Sequence, residues 1–269
     1  NIPALMQTKP DFCSVTYGAG GSTREKTLMI VDRIQREHQL TALAHLTCVN
    51  HTREQVGELL QKIKATGCRN ILALRGDPPH GDTKFQPVPG GFRNANELVA
   101  LIHGEFPELG IAVAGYPEKH QEAPSLEVDL ANLKRKVDAG ADAVVTQLFY
   151  NNDDFFRFRD RCHSLGIGLP IVPGLLPVTN FAQIKRITSL CGAQLPAPFV
   201  RRLETAGDQD FFSFPATKDQ VFNIQVYARQ TGSPLDSIID LWGNEKNYIA
   251  GNHDNGQANS SMRFQVPAD

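Results

Sequence analysis

Ile71-Leu72-Ala73-Leu74-Arg75-Gly76-Asp77-Pro78-Pro79 is an apolar run that ends in a cation, a glycine and a carboxylate, followed by two prolines. The run predicts a strand over 69–74, and the prolines stiffen the loop after it. Charges at such a position are seldom there for packing. One reading is a strand-end salt bridge; the other is a cation and a carboxylate addressing a charged or polarised ligand. Working outward, further apolar, β-branched runs predict strands over 12–17, 41–47, 110–115, 142–148 and 169–172. Amphipathic segments predict helices near 23–37, 52–66, 94–104, 125–139, 152–165 and 179–190. Ser22, Asn94 and Ser125 read as N-caps, and Gly67 and Gly140 as helix ends. Repeated βα units imply a parallel sheet.

A doubly wound sheet and a closed barrel both satisfy that pattern, and the strand ends decide between them. Thr16, His45 and Thr47, Arg75 with Asp77, Tyr116 with Glu118 and His120, and Gln147 all stand where a strand finishes. In a barrel those ends converge on one face, whereas in an open sheet only the strands beside the switch point would be so decorated. The chain therefore reads as an α/β protein, a (β/α)8 TIM barrel, with residues 1–269 forming one domain that diverges after about residue 207. Six units are clear, so the remaining strands are either upstream of Asn1 or concealed in the last sixty or so residues. There, Phe211-Phe212-Ser213-Phe214-Pro215 reads as a short strand or loop, 218–230 and 234–242 as helices, and Gly251 to Ser261 as a mobile stretch rich in Gly, Asn and Ser.

Composition narrows the class of partner. The 269 residues are 41% hydrophobic and 21% charged, within the ordinary globular range, and the formal charge of −2 provides no basic field for nucleic acid. The apolar runs are too short to cross a bilayer. The five cysteines are scattered, which suits reduced core thiols, and Asn1 to Pro10 lacks the pattern of a secretory signal, so a cytoplasmic protein acting on small molecules is expected. No H-E-x-x-H, G-x-S-x-G or Cys/His metal spacing occurs, and no metal is expected.

Other segments carry candidate chemistry. Tyr116-Pro117-Glu118-Lys119-His120 follows a strand whose small residues Ala114 and Gly115 would leave room for a flat ligand; a solvated surface loop is the alternative. Asp129, Asn132 and Arg135, spaced by three, share a helix with Lys136. A solvated face is the ordinary explanation, but the core residues Leu130, Leu133 and Val137 leave the polar row near a rim, where Arg135 or Lys136 could meet a diphosphate. His45 and Gln147 sit in apolar strands and need partners, which a pocket floor would supply. The Gly18-Ala19-Gly20-Gly21-Ser22 turn could cradle a phosphate but matches no nucleotide fingerprint.

Ser14-Val15-Thr16-Tyr17-Gly18, Ala44-His45-Leu46-Thr47-Cys48, Ala73 to Pro79, Gly115 to His120, Asn132 to Ala141 and Pro173-Gly174-Leu175-Leu176-Pro177 together resemble, in order and spacing, the methylenetetrahydrofolate reductase family. The likeness runs from about Pro10 to about Gly207. It implies a barrel that binds FAD at the C-terminal strand ends, with NADH or NADPH and the folate using one site in turn, as an enzyme of one-carbon metabolism and methionine biosynthesis. The implied FAD contacts are Thr16, His45, Arg75, Gly76, Asp77, Ala114, Tyr116, His120, Asp129, Asn132, Arg135 and Lys136. Asp77 is the implied catalytic residue, stabilising the cationic iminium form of methylenetetrahydrofolate. Gln147, Gln183 and Ile187 would contact substrate. Hydride would pass from pyridine nucleotide through the flavin to the one-carbon unit, giving 5-methyltetrahydrofolate, in a homo-oligomer.

Two departures stand beside this. The family opens with a strand of the type Phe-Glu-Phe-Phe-Pro-Pro, whose glutamate is its general acid, and this chain starts downstream of it. The family's closing strand is not recognisable after Gly207. The competing readings are a different flavin or phosphate-ligand enzyme, and a degenerate barrel that binds flavin or folate as a partner or regulatory subunit without full turnover.

Overall fold

A computed structural model describes residues 2–17, 24–78, 85–205, 221–225, 238–242, 248–253 and 261–265. The chain divides into two compact units, residues 2–210 and, together with Asn1, residues 211–269. The first begins with α1 (Ile2–Met6) and then alternates: β1 (Phe12–Val15), α2 (Arg24–Arg36), β2 (Thr41–Thr47), α3 (Arg53–Ala65), β3 (Asn70–Leu74) and α4 (Ala95–Glu105). It continues with β4 (Gly110–Gly115), α5 (Leu126–Asp138), β5 (Ala143–Leu148), α6 (Asn152–Ser164), β6 (Ile171–Gly174), α7 (Phe181–Cys191) and α8 (Ala197–Thr205). No helix among the described residues is long and apolar enough to cross a membrane.

The strands pair in parallel in sequence order, β1 to β6, with no reversal that would mark a doubly wound sheet. Among the described residues, helices α2 to α6 pack on one and the same face. Val15, Ala42, Ala44, Leu46, Ile71, Ala73, Ile111, Val113 and Val144 join Val31, Ile34, Leu60, Ile63, Leu98, Ile102, Leu133 and Phe158 in a single core. The opposite face carries Leu43, Leu72 and Ala112, backed by Leu74, Ala143 and Val145, as a separate, smaller cluster. One-sided helix cover and sequential parallel order together make half of a barrel wall.

Local chemistry sets the helix ends. Thr52 and Gln55 form a capping box at α3, and Ser125, Asn151 and Asn180 accept backbone N–H groups at the starts of α5, α6 and α7. Asn94 precedes α4 as expected but makes no side-chain cap bond. Gly67 and Gly140, after α3 and α5, adopt positive φ of 87° and 116°. The turn at 18–22, with its expected Ser22 cap, lies outside the described residues.

Gly115 has a different role from the one its neighbourhood suggested. Alternation along β4 turns Gly115 to the helix side with Ile111 and Val113, and a Cβ there would stand 2.7 Å from Val144 and 2.8 Å from Phe158 of α6. Its smallness admits the Phe158 ring to the core; Ala114, on the other face, is the residue that leaves space over the concave surface.

The second unit departs from the sequence reading. Val221–Gln225 (β7) and Ile238–Trp242 (β8), expected within helices, are strands. β7 pairs antiparallel with β10 (Ser261–Gln265), and β8 with β9 (Tyr248–His253). Val221-Phe222-Asn223-Ile224-Gln225 and Ile238-Ile239-Asp240-Leu241-Trp242 are short runs whose period is ambiguous, and their β-branched and aromatic content suits a pleated pair. Gly251 to His253, expected to be mobile, closes β9, and Ser261 opens β10; Phe211 to Pro215 lies outside the described residues.

Two outcomes follow. Gly115→Ala should cost about 1–3 kcal/mol in urea unfolding, because Val144 and Phe158 must shift to admit a methyl group. Burial pushes the thiols of Cys48 up to about 12 and Cys162 up to about 11. A brief native alkylation should therefore spare both, while mass spectrometry after denaturation finds all five cysteines free to react.

Candidate functional site

The strand register sorts the candidates by face. Phe12 pairs with Thr41 and Ser14 with Leu43, so Thr16, just beyond β1, continues the row that faces away from the helices. His45 pairs with Leu72, Leu72 with Ala112, and Ala114 with Val145, which places His45 and Ala114 on that same concave face near the C-terminal strand ends. Gln147 lies in an irregular stretch of β5, where the three residues beyond Val145, ending at Leu148, oppose two of β6, at the C-terminal end of the strand. His45 is half-buried, and burial holds its imidazole below the ordinary histidine range. Gln147 Oε1 accepts the Leu148 N–H at 2.9 Å, and its side chain lines a small depression with Tyr116, Pro117, Glu118 and Cys191.

At the end of β3, Gly76 adopts φ of 87°, and a Cβ there would meet Val49 Cγ2 at 2.6 Å and Thr47 Cβ at 3.0 Å. Both the backbone conformation and the close approach of the chain after β2 demand glycine. That turn releases Arg75 across the strand ends. Its Nη1 and Nη2 donate to the two carboxylate oxygens of Glu122 at 2.5 and 2.7 Å, and the guanidinium carbon lies 5.0 Å from the centre of the Phe85 ring. Asp77 is exposed, yet its charge is felt by both Arg75 and Tyr116.

The loop after β4 meets this arginine. Tyr116 and His120 pack edge to face with ring centres 4.6 Å apart, and the Tyr116 hydroxyl is pushed up to about 12 by burial, assisted by the negative charges of Asp129 and Asp77. The His120 backbone N–H donates to Asp129 Oδ2 at 3.0 Å. His120 Nδ1 accepts the Glu122 N–H at 3.1 Å, which leaves the proton of the neutral ring on Nε2. Burial, then the Arg75 charge, lowers the His120 pKa and favours that neutral form.

The row on α5 is divided. Asp129 is buried and serves the loop, and the Lys136 amino group donates to Ala114 O at 2.5 Å. Lys136 is partly exposed as a residue, but its amino end is enclosed, and burial brings it down to about 8 against the favourable Asp129 charge. Asn132 and Arg135 are exposed and bond to each other at 2.7 Å. On α7, Gln183 is exposed in the first turn, and Ile187 packs beside Val178, Ile184 and Leu203.

The structure thus brings Arg75, Asp77, Tyr116, His120, Asp129 and Lys136 together, with His45 and Ala114 on the adjoining concave surface. Arg135, Asn132, Gln183 and Ile187 stand apart from this network. Glu122 and Phe85 were not singled out from the sequence. An acidic residue two positions beyond a strand-end histidine was the available signal for Glu122, but its partner is 47 positions away.

The Lys136 environment makes a pH-dependent prediction. Its folded pKa lies below the lysine reference of 10.5, so its contribution is complete above 10.5 and is lost as pH falls through about 8. Relative to Lys136→Met, the wild-type chain should gain about 2 kcal/mol of unfolding free energy between pH 7.5 and 10, in matched urea titrations.

A cation–carboxylate fork, an edge-to-face pair of aromatic rings and an enclosed lysine at adjacent strand ends are equipment for a flat, anionic ligand. Comparison with known proteins identifies the family. The methylenetetrahydrofolate reductase family model matches residues 1–216. Methylenetetrahydrofolate reductase (NADH) 1 of Arabidopsis thaliana is 44% identical over 216 residues, which cover 77% of this chain and 36% of the plant protein. The 5,10-methylenetetrahydrofolate reductase of Escherichia coli strain K12 is 43% identical over 197 residues, covering 73% of this chain and 64% of that protein. The counterpart in Salmonella typhimurium is 42% identical with the same coverage. The chain therefore spans about a third of the length of the plant relative and just under two thirds of the bacterial ones. With the match extending over the whole strand-end network, the chain belongs to the methylenetetrahydrofolate reductase family.

Proposed function

We propose that residues 2–205 form the FAD-binding part of a (β/α)8 barrel within the single catalytic domain read from the sequence. Its protein would reduce 5,10-methylenetetrahydrofolate to 5-methyltetrahydrofolate with NADH or NADPH. The observation that carries this reading is the meeting of Arg75, Tyr116, His120 and Asp129, drawn from three separate segments, at the ends of β3 and β4. The name of the plant relative specifies NADH and favours that donor. A cytoplasmic homo-oligomer belongs to the same reading.

The residues present suit a flavin dinucleotide. Ala114 leaves the concave surface low beside Tyr116, while Arg75 and Lys136 supply cationic donors for a diphosphate. Thr16, His45, Gly76 and Asp77 would complete one side and Asp129 the other, while Asn132 and Arg135, exposed and bonded to each other outside this network, would have to turn inward to reach the ligand. FAD, when bound, supplies a two-electron carrier between the pyridine nucleotide and the folate-bound carbon. Asp77, exposed at the mouth, places a carboxylate where a cationic iminium substrate would need a counter-charge. His120 offers a neutral Nε2–H donor, fixed by the Glu122 N–H on its other nitrogen. Gln147 presents an amide from the β5 end, and Gln183 and Ile187 of α7 would complete the folate and nicotinamide surface.

The visible spectrum of the purified chain tests this directly. After FAD addition and removal of unbound flavin by gel filtration, a flavin band should remain with the protein, bleach under anaerobic NADH or NADPH, and return on addition of methylenetetrahydrofolate. A band that bleaches without returning would confine the chain to flavin binding and donor oxidation. A protein fraction that carries no flavin band after FAD addition and gel filtration would overturn the proposal.

A further inference from the structure

The half-exposed pair of Arg75 and Glu122 calls for a purpose other than stability. The side chains are 23% and 52% exposed, and pairs in such surroundings contribute little to folding because water screens them. The arrangement nevertheless is bidentate, and the arginine is also laid against the Phe85 ring. Holding two long side chains this way costs rotamer freedom, which is worthwhile where a binding group must be presented in one orientation.

Glu122 is itself rigidly mounted. The Ala123 N–H donates to His120 O at 3.0 Å, closing a turn over 120–123, and Lys119 Nζ donates to the carbonyls of both His120 and Ala123 at 3.1 and 2.6 Å. Within that turn the Glu122 N–H meets His120 Nδ1 at 3.1 Å, and the His120 N–H is held by Asp129. One residue therefore acts in two directions, its carboxylate on the β3 end and its backbone on the β4 loop.

We infer that Glu122 is a positioning residue of this site, fixing the Arg75 guanidinium for a diphosphate-bearing ligand while its backbone N–H holds His120 as the Nε2–H tautomer. Two of the five guanidinium N–H groups are engaged by the carboxylate and the Nε–H by Gly76 O at 3.4 Å, so the two outer Nη–H groups remain in the guanidinium plane for the ligand. The inference rests on the flavin reading above for its ligand and on the ligand-free geometry for the pair itself. Glu122 touches neither substrate nor cofactor in this scheme. Its carboxyl is held below the ordinary range by the hydrogen bond from Arg75, so the pair persists at neutral pH and dissolves only in acid below the ordinary glutamate range.

The test is a double-mutant cycle read by FAD affinity, with flavin fluorescence as the signal. Glu122→Gln and Arg75→Gln should each weaken binding about tenfold, and the double variant should be no weaker than Arg75→Gln alone, because the two act as one unit. Glu122→Asp should recover part of the loss, and the thermal midpoint should stay within about 3 °C of wild type, since an exposed pair is removed. Unchanged affinity in Glu122→Gln, or additive losses in the double variant, would overturn the inference. So would tighter binding, which would make Glu122 a competitor for the arginine rather than its support. If the wild-type chain binds no FAD, the flavin reading fails alone, and nitrogen NMR of the Arg75 guanidinium decides the pair. Restricted Nη rotation in wild type that is released in Glu122→Gln supports positioning, and equal rotation in both overturns it.

Discussion

Strands β2, β3 and β4 set the terms for the larger unit. Ala42, Ala44, Leu46, Ile71, Ala73, Ile111 and Val113 are almost wholly removed from water against one layer of helices, and fully burying an aliphatic side chain is worth about 1.5–3 kcal/mol. Because alternate residues point to opposite faces, that burial also determines what faces the other way. His45, Leu72 and Ala114 lie on the concave side as a consequence of where their neighbours must go. A slip of one residue would place His45 among helix side chains and turn Ala44 outward, so the core pins the concave row as firmly as it pins itself.

The loops beyond those strands inherit this precision through short-range devices. Gly76 lets the chain turn against Thr47 and Val49, and Asp129, buried at the start of α5, captures the His120 backbone. A buried polar group of this kind needs a partner, and the loop that leads into α5 supplies it within the same βα unit, whereas the Arg75–Glu122 pair crosses from one unit to the next. The site is therefore tied between adjacent units, with Arg75 from one and Glu122 with His120 from the next. Enclosure then selects protonation states: the imidazoles of His45 and His120 are biased toward neutrality, and the Tyr116 hydroxyl is held protonated.

At the opposite ends of the strands, Phe12, Thr41, Leu43, Asn70, Ala112 and Val172 contribute to a cavity of about 270 Å³ on the concave face. An apolar lining at the base and polar, charged groups at the C-terminal rim is the division of labour that a barrel imposes, stability below and chemistry above.

The βα alternation, the positions of the six parallel strands and the polar residues at their ends were legible because hydrophobic period and strand-end chemistry are local signals. The sequence alone also determined the family, through motifs whose order and spacing survive without any knowledge of contacts. Local signals failed where they were short: 221–225 and 238–242 carry too few residues to separate a helical period from a strand, and cross-strand partners decided them. Only the tertiary structure could show that Gly115 makes way for Phe158, that Asp129 and Lys136 turn inward while Asn132 and Arg135 turn out, and that Glu122 grips Arg75. Each is a relation between residues distant in the chain or between faces of one helix, set by packing that no single segment encodes.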